Sequence, residues 1–407
     1  MASPAMISTV SSNLQALCNH QGIGAYALAL GGAVLVLGLA YVFQPAVAAW
    51  RRPREREPYT FTRYAPGSGL APGTASSPGR RTRASAKAPT GEMKEESFPT
   101  LADAPEVLLS LVIPAYNEEI RLPVMLDTTL AYLEAWSQNP RSSLTYELIV
   151  VDDGSTDATV VVASEYSRRL GSDVVRVLRL RKNRGKGGAI REGMLHARGR
   201  YALMVDADGA TDITCLERLL NATQAAEEGS SEGSMAVGVG SRAHYEKDSV
   251  ATRAWYRTVL MKGLHLLVTV LISGRIRDTQ CGFKLFTREA IKVCFTTLHL
   301  ERWGFDLEIV HVCDRLGVPM AEVPVRWQEV EGSKLITNKL DVVLASIGIF
   351  RDMLCVRICY LLGLWRTAPY SRAGLWPEGG KFGTKDQGID TSQAARHGKG
   401  QRRRKAE

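Results

Sequence analysis

Three short clusters of residues carry the chemistry available to this sequence. Asp206-Ala207-Asp208 closes the apolar run Tyr201–Val205, Asp152-Asp153-Gly154-Ser155 closes a second run, and Pro114-Ala115-Tyr116-Asn117-Glu118 closes a third. Paired carboxylates of the Asp-x-Asp type at a strand end suit a hard divalent cation, Mg2+ or Mn2+, holding a diphosphate. The same spacing occurs in surface turns, but a turn needs only one aspartate. Three such clusters at three strand ends point to a nucleoside-diphosphate site in which Asp206 and Asp208 face the metal. Asp152 and Asp153 also sit in a Gly-Ser-Thr-Asp turn that caps the next helix, leaving one of the two for a uracil or ribose. Asn183-Arg184-Gly185-Lys186-Gly187-Gly188 lacks the spacing of a P-loop, which excludes that class of ATPase. Lys186 at a helix N-terminus reads either as a counter-charge for a diphosphate or as a solvated lysine in a glycine turn.

Those clusters need a frame that brings strand ends together. Apolar runs at Val107–Tyr116, Tyr146–Asp153, Val174–Leu180, Tyr201–Asp208 and Met235–Gly240 alternate with helical spacing at Leu122–Trp136, Asp157–Leu170, Lys186–Arg198 and Ile213–Ala226. Strands separated by helices of this length predict an α/β fold, a mostly parallel sheet with helices on both faces. Such sheets bind ligands at the carboxyl ends of their strands.

The flanks differ in kind. The chain has 407 residues and a net charge of +9, yet residues 1–50 hold no Lys, Arg, Asp or Glu, and segments 51–105 and 366–407 carry +4 and +6. The body between them is nearly neutral, which argues against nucleic acid as a partner and suits basic arms beside an anionic lipid bilayer. Residues 22–43 form an uncharged run long enough to span a bilayer, followed at once by Arg51, Arg52, Arg54 and Arg56. The positive-inside bias then puts residues 1–21 outside the cytosol and the rest within it. Residues 44–105 read as a disordered basic tether, 106–335 as the catalytic domain, 336–368 as a membrane-interfacial helical segment and 369–407 as a disordered basic tail. Ala254–Ile272 and Leu340–Trp365 are apolar but interrupted by charge. They read as interfacial or buried helices, with an oligomer contact open for the second. Seven scattered cysteines fit reduced thiols better than a disulfide framework.

The motifs Val112–Glu118, Val151–Asp157 and Val205–Asp208 resemble the successive signatures of family 2 glycosyltransferases with the GT-A fold. Asp206–Asp212, Asp278–Lys284, Arg302–Asp306 and Glu331–Lys334 resemble, within that family, the dolichyl-phosphate β-glucosyltransferases. The match runs from Leu109 to Leu335. It implies transfer of glucose from UDP-glucose to dolichyl phosphate at the endoplasmic reticulum membrane, by a single-pass enzyme facing the cytosol, for N-glycan precursor assembly. It further implies that Pro114, Tyr116, Glu118 and Asp153 hold uridine, that Asp206 and Asp208 share Mg2+ or Mn2+ on the diphosphate, and that Lys284, Arg302 and Lys334 meet the acceptor phosphate. Where related mannosyl enzymes place a Gln, this chain has Ala210, which leaves the third protein ligand of the metal open. Asp306 and Glu308 read either as partners orienting Arg302 and Lys284 or as a base. Asp278 reads as the structural partner of an arginine. A polyprenyl-phosphate mannosyltransferase using GDP-mannose and a non-catalytic membrane scaffold remain the alternatives.

Overall fold

The computed structural model describes residues 34–51, 59–64, 94–230, 234–243, 263, 266–328, 330 and 339–367. Residues 34–50 form helix α1. Then follow β1 (Thr60–Arg63), β2 (Lys94–Ser97), β3 (Val107–Ala115), α2 (Arg121–Ser137), β4 (Tyr146–Asp152), α3 (Thr159–Leu170), β5 (Val175–Arg179), α4 (Lys186–Leu195), β6 (Gly199–Met204), α5 (Leu216–Glu228) and β7 (Val237–Ser241). β8 (Lys284–Thr287), α6 (Arg288–Thr297), α7 (Phe305–Arg315), β9 (Met320–Pro324) and α8 (Lys339–Leu361) complete the described elements.

β3 to β9 form one seven-stranded sheet in the order β5-β4-β3-β6-β8-β7-β9. Every neighbouring pair is parallel except the two made by β8, which runs antiparallel between β6 and β7. The chain leaves β3 towards β4 on one side and returns to β6 on the other, so the strand order reverses beside β3. That reversal opens a crevice at the carboxyl ends of β3 and β6.

Alternation along the strands gives each face of the sheet its own core. Leu109, Leu111 and Ile113 of β3 pack with α2, α3 and α5, whereas Val112 packs with α4, α6 and α7. Helix α4 lies unusually close to the sheet. A Cβ on Gly193 would sit 2.4 Å from Val112 Cγ1, so only glycine permits the approach that brings the α4 N-terminus to the crevice.

A buried ionic cluster pins the opposite edge. Glu147 of β4 accepts hydrogen bonds from Ser110 Oγ (2.6 Å), Arg198 N (2.7 Å) and Arg198 Nε (3.0 Å), and pairs with Arg176 of β5. The Arg176 guanidinium also lies 5.5 and 5.2 Å from the Phe61 and Phe98 rings. Those rings belong to the two-stranded β1–β2 sheet and its exit.

The basic tether expected over residues 44–105 is therefore not uniformly disordered. Residues 44–50 continue α1, and β1 and β2 pair antiparallel and dock on the domain. Ser172 N donates to the Tyr64 carbonyl and Tyr64 N to Ser172 Oγ, and Tyr59 and Phe98 pack on His196. A few aromatic residues do this, too sparse to produce a periodic apolar pattern. Of the expected bilayer span at 22–43, residues 22–33 lie outside the described residues. Among the described residues no helix is long and apolar enough to cross a membrane. Most of 254–272 and all of 369–407 also lie outside the described residues.

Burial alone would raise the Glu147 pKa, but Arg176 and Arg198 outweigh it and hold the carboxyl below the ordinary glutamate range. A depressed folded value stabilises the fold above about pH 4.3, where an unfolded glutamate ionises, and that contribution fades as pH falls through the folded value. Glu147→Gln leaves two arginines against a neutral amide and is expected to cost about 3 kcal/mol at neutral pH. Thermal unfolding from pH 7 down to pH 3 checks this: the variant melts lower at pH 7, and the two proteins converge in acid.

Candidate active site

The three acidic clusters meet at the crevice. Past β3 the chain turns sharply at Asn117, whose φ of +54° is left-handed. Its side-chain oxygen accepts from Thr156 N (2.8 Å), and its own N–H donates to Ser155 Oγ (3.0 Å), locking the ends of β3 and β4 together. Glu118 is forked by Arg121 through Nε (2.7 Å) and Nη2 (2.6 Å) at the start of α2. Tyr116 stands 41% exposed at the rim, as a residue stacking on a base would.

Past β4, Asp152 and Asp153 are both buried and both tied to backbone. Asp152 Oδ1 accepts from Ser155 N (3.0 Å), closing the turn. Asp153 places Oδ1 on Arg184 N (2.7 Å) and Oδ2 on Gly185 N (2.8 Å), so it clamps the loop that opens α4. Sequence reasoning assigned Asp153 to uridine and missed this clamp. Each of its oxygens keeps a lone pair for a further donor.

Past β6, Asp206 and Asp208 occupy the floor. Lys186, the first residue of α4, reaches Asp206 Oδ1 at 2.6 Å, and Arg121 stands 3.9 Å from Asp208. Burial opposes the Lys186 charge, but Asp206 and then Asp306 outweigh it and raise its pKa. Burial is also the main reason that Asp208 titrates higher than usual, with Asp206 adding to it. Arg121 is a cation of the crevice that the motif reading passed over. Its position three residues after Glu118, across the first turn of a helix, was the available signal.

The cations expected at the acceptor phosphate divide. Lys284 is fully buried, 2.5 Å from Asp306 Oδ1 and 2.7 Å from the Cys281 carbonyl, so it does not present its ammonium to an acceptor. Its β8 position is internal because β8 fills the sheet between β6 and β7, a strand the apolar pattern did not predict. Asp306 sits in the first turn of α7 and pairs with Lys284. Glu308 pairs directly with neither Arg302 nor Lys284. It is fully buried and accepts from His299 N, Leu300 N, His299 Nδ1 and Tyr360 Oη, away from Arg302 and Lys284. Arg302 is exposed beside Trp303, which is 70% exposed. Asp278 forks Arg242 (2.7 and 2.9 Å), the structural role expected. Lys334 lies outside the described residues.

Among the described residues no group of three or more His, Cys, Asp or Glu side chains could hold a metal ion. The donor set that is present still fits a divalent ion shared with a substrate. Two carboxylates come from the chain, and diphosphate oxygens and water would fill the remaining positions, as Mg2+ prefers. The seat is cut to shape: a Cβ on Gly282 would lie 2.3 Å from Asp206 Oδ2. Gly282→Ala must therefore push the Asp206 carboxylate aside. The expected loss is about a hundredfold in kcat/KM, the scale of an ångström-level misplacement, with melting temperature little changed. Steady-state kinetics alongside thermal unfolding checks both.

The family model for glycosyl transferase family 2 matches residues 110–295. The dolichyl-phosphate beta-glucosyltransferase of Drosophila melanogaster is 50% identical over 277 residues, covering 68% of this chain and 82% of that protein. Its Homo sapiens counterpart is 49% identical over 276 residues (67% and 82%), and that of Saccharomyces cerevisiae 39% over 271 (65% and 78%). Among solved structures, glucosyl-3-phosphoglycerate synthase from Mycobacterium tuberculosis in complex with UDP superposes with a TM-score of 0.41 at 17% identity, covering 62% of this chain and 80% of that one. At such identity to relatives matched over about four-fifths of their own length, the chain belongs to glycosyltransferase family 2, among the dolichyl-phosphate β-glucosyltransferases.

Proposed function

We propose that this glycosyltransferase moves glucose from UDP-glucose to dolichyl phosphate, giving dolichyl β-D-glucosyl phosphate and UDP. The observation that carries the reading is the convergence of Asp206, Asp208 and Lys186 at the switch point between β3 and β6. Membership of the family supplies the substrate class.

Pro114, Tyr116, Glu118, Asp152 and Asp153 line the nucleoside end. Tyr116 offers a ring face to the base, and the Asp153 clamp fixes the loop that delivers Lys186. Lys186 turns from Asp206 towards the donor diphosphate once negative charge arrives there. Asp206 and Asp208 would hold Mg2+ or Mn2+, which would supply positive charge opposite that developing on the departing UDP. Arg302, at the exposed mouth, and Lys334 position the acceptor phosphate. One of its oxygens attacks the anomeric carbon from the face opposite UDP as the bond to the β-phosphate oxygen breaks, and the α-linkage inverts to β. The second pKa of such a phosphate is about 6, so it attacks as an anion and needs positioning more than a strong base. Lys284 contributes from behind, partly offsetting the burial that raises the Asp306 pKa.

The exposed apolar side chains Val34, Leu35, Val36, Leu37 and Leu39 of α1 support bilayer attachment through the 22–43 run. The charge asymmetry supports a cytosolic catalytic domain on the endoplasmic reticulum membrane.

Proteoliposomes containing the chain, dolichyl phosphate and Mn2+ or Mg2+ are given labelled UDP-glucose or labelled GDP-mannose. Label is expected in an acid-labile lipid from UDP-glucose alone. Asp208→Asn is expected to lose at least about a hundredfold, the scale of removing a transition-state charge stabiliser. Label from GDP-mannose instead moves the chain to the mannosyl branch. Label from neither, with UDP binding absent, makes it a scaffold.

A further inference from the structure

The loop from His299 to Gly304 carries the one exposed cation among the described residues of the acceptor motifs, Arg302, and it is gripped from two sides. On the donor side, the Glu301 carbonyl accepts from Gly188 N at 2.9 Å, and the Glu301 carboxylate pairs with Arg184. A Cβ on Gly185 would lie 2.9 Å from that same carbonyl, and one on Gly187 would lie 2.7 Å from Phe305 Cβ. The loop is thus pressed into the glycine run that opens α4.

On the other side the grip comes from α7 and α8. Glu308 receives His299 N and Leu300 N (2.7 Å for the latter), His299 Nδ1 (2.7 Å) and the Tyr360 hydroxyl (3.1 Å). Facing a carboxylate, Nδ1 carries the imidazole proton. The His299 ring stacks on Trp365 at 4.2 Å and 3°, and Tyr360 meets both rings edge-on. At the far end of the loop a Cβ on Gly304 would lie 2.6 Å from Asp352 Oδ2. Asp352 is held by Arg351, which also reaches Gln44 (2.9 Å) and the Tyr41 ring of α1.

We propose that Glu308, Tyr360 and Trp365 are positioning residues for the acceptor: they clasp the His299–Gly304 loop to α8 and so set where Arg302 meets the lipid phosphate. The donor loop also has an anchor outside this clasp, because Asp153 accepts from Arg184 N and Gly185 N. Loosening the clasp therefore weakens acceptor recognition and spares nucleotide binding. The inference rests on the glucosyltransferase reading above. Glucosyl transfer by the unmodified chain tests that reading, and the variants test only the clasp.

The experiment uses the full chain in proteoliposomes, with dolichyl phosphate titrated at saturating UDP-glucose and UDP affinity measured by calorimetry. Tyr360→Phe removes one hydroxyl and Trp365→Ala one stacked ring. Each is expected to raise KM for dolichyl phosphate about five- to tenfold, the scale of one lost hydrogen bond or ring contact, with kcat within about threefold and UDP affinity within about twofold. Trp365→Phe restores KM to within about twofold of the unmodified chain. A merely structural role would reduce the active fraction, lowering kcat and leaving KM in place. Unchanged KM, loss of UDP affinity in step with KM, or no rescue by Trp365→Phe each overturns the proposal. Should Trp365→Ala not fold, His299→Asn keeps a donor towards Glu308, removes the same stack and is judged by KM for dolichyl phosphate, kcat and UDP affinity.

Discussion

Carboxylates gathered at one sheet edge repel one another, and nearly every contact in this crevice answers that constraint. Glu118 faces Arg121, Asp206 faces Lys186, Asp306 faces Lys284 and Asp278 faces Arg242. The pairs are not isolated. Arg121 also approaches Asp208, and Lys186 also feels Asp306. Cations and anions thus alternate across the ends of β3, β6, β7 and β8. Desolvating this many charges is unfavourable by itself, and packed apolar residues would hold the fold at least as well. What the alternation supplies is a set of dipoles already oriented before substrate arrives, which is the arrangement that stabilises developing charge at least reorganisation cost.

The same constraint explains where glycine is indispensable. Charged side chains meet at this density only if backbones approach closely, and the chain removes Cβ atoms where they would collide. Gly282 makes room for the Asp206 carboxylate, and Gly193 lets α4 sink onto β3 so that Lys186 arrives at the crevice. Neither position carries chemistry of its own. Each converts a strand-end motif into a site of fixed dimensions.

The acidic clusters were legible in the sequence because strand ends advertise themselves: an apolar run stops, and the next residues are Asp, Asn and Gly. The order of elements from β3 to β7 was legible for the same reason, since buried parallel strands read as continuous apolar runs. β8 was not, because Lys284 at its start is a charge in a fully buried position and breaks the pattern. The contacts of Glu308 were not legible because its partners are the backbone of residues 299 and 300 and a tyrosine 52 residues away, none of which sequence spacing reveals. Helices α7 and α8 meet only in three dimensions. The β1–β2 pair escaped notice because two four-residue strands separated by a long polar stretch carry no periodic signal.

The two halves of the proposed site are tied to different parts of the fold. The residues proposed for the donor stand on strand ends and on the first turn of α4, with Asp153 closing the circuit between β4 and α4. Arg302, proposed to meet the acceptor, stands on a loop whose footing is α8, a helix with exposed Leu344 and Ile347 that is linked through Arg351 to the exposed apolar helix α1. A nucleotide sugar arrives from water with a fixed shape and rewards a fixed cradle. A polyprenyl phosphate arrives along a bilayer surface, and its phosphate can be met only by a cation whose height is set by the elements that lie against that surface. In the proposed reading, tying Arg302 to α8 rather than to the central sheet puts the acceptor cation on the same footing as the apolar helices, so the two substrates would be referenced to two different frames that meet at Glu301, where the loop grips the start of α4.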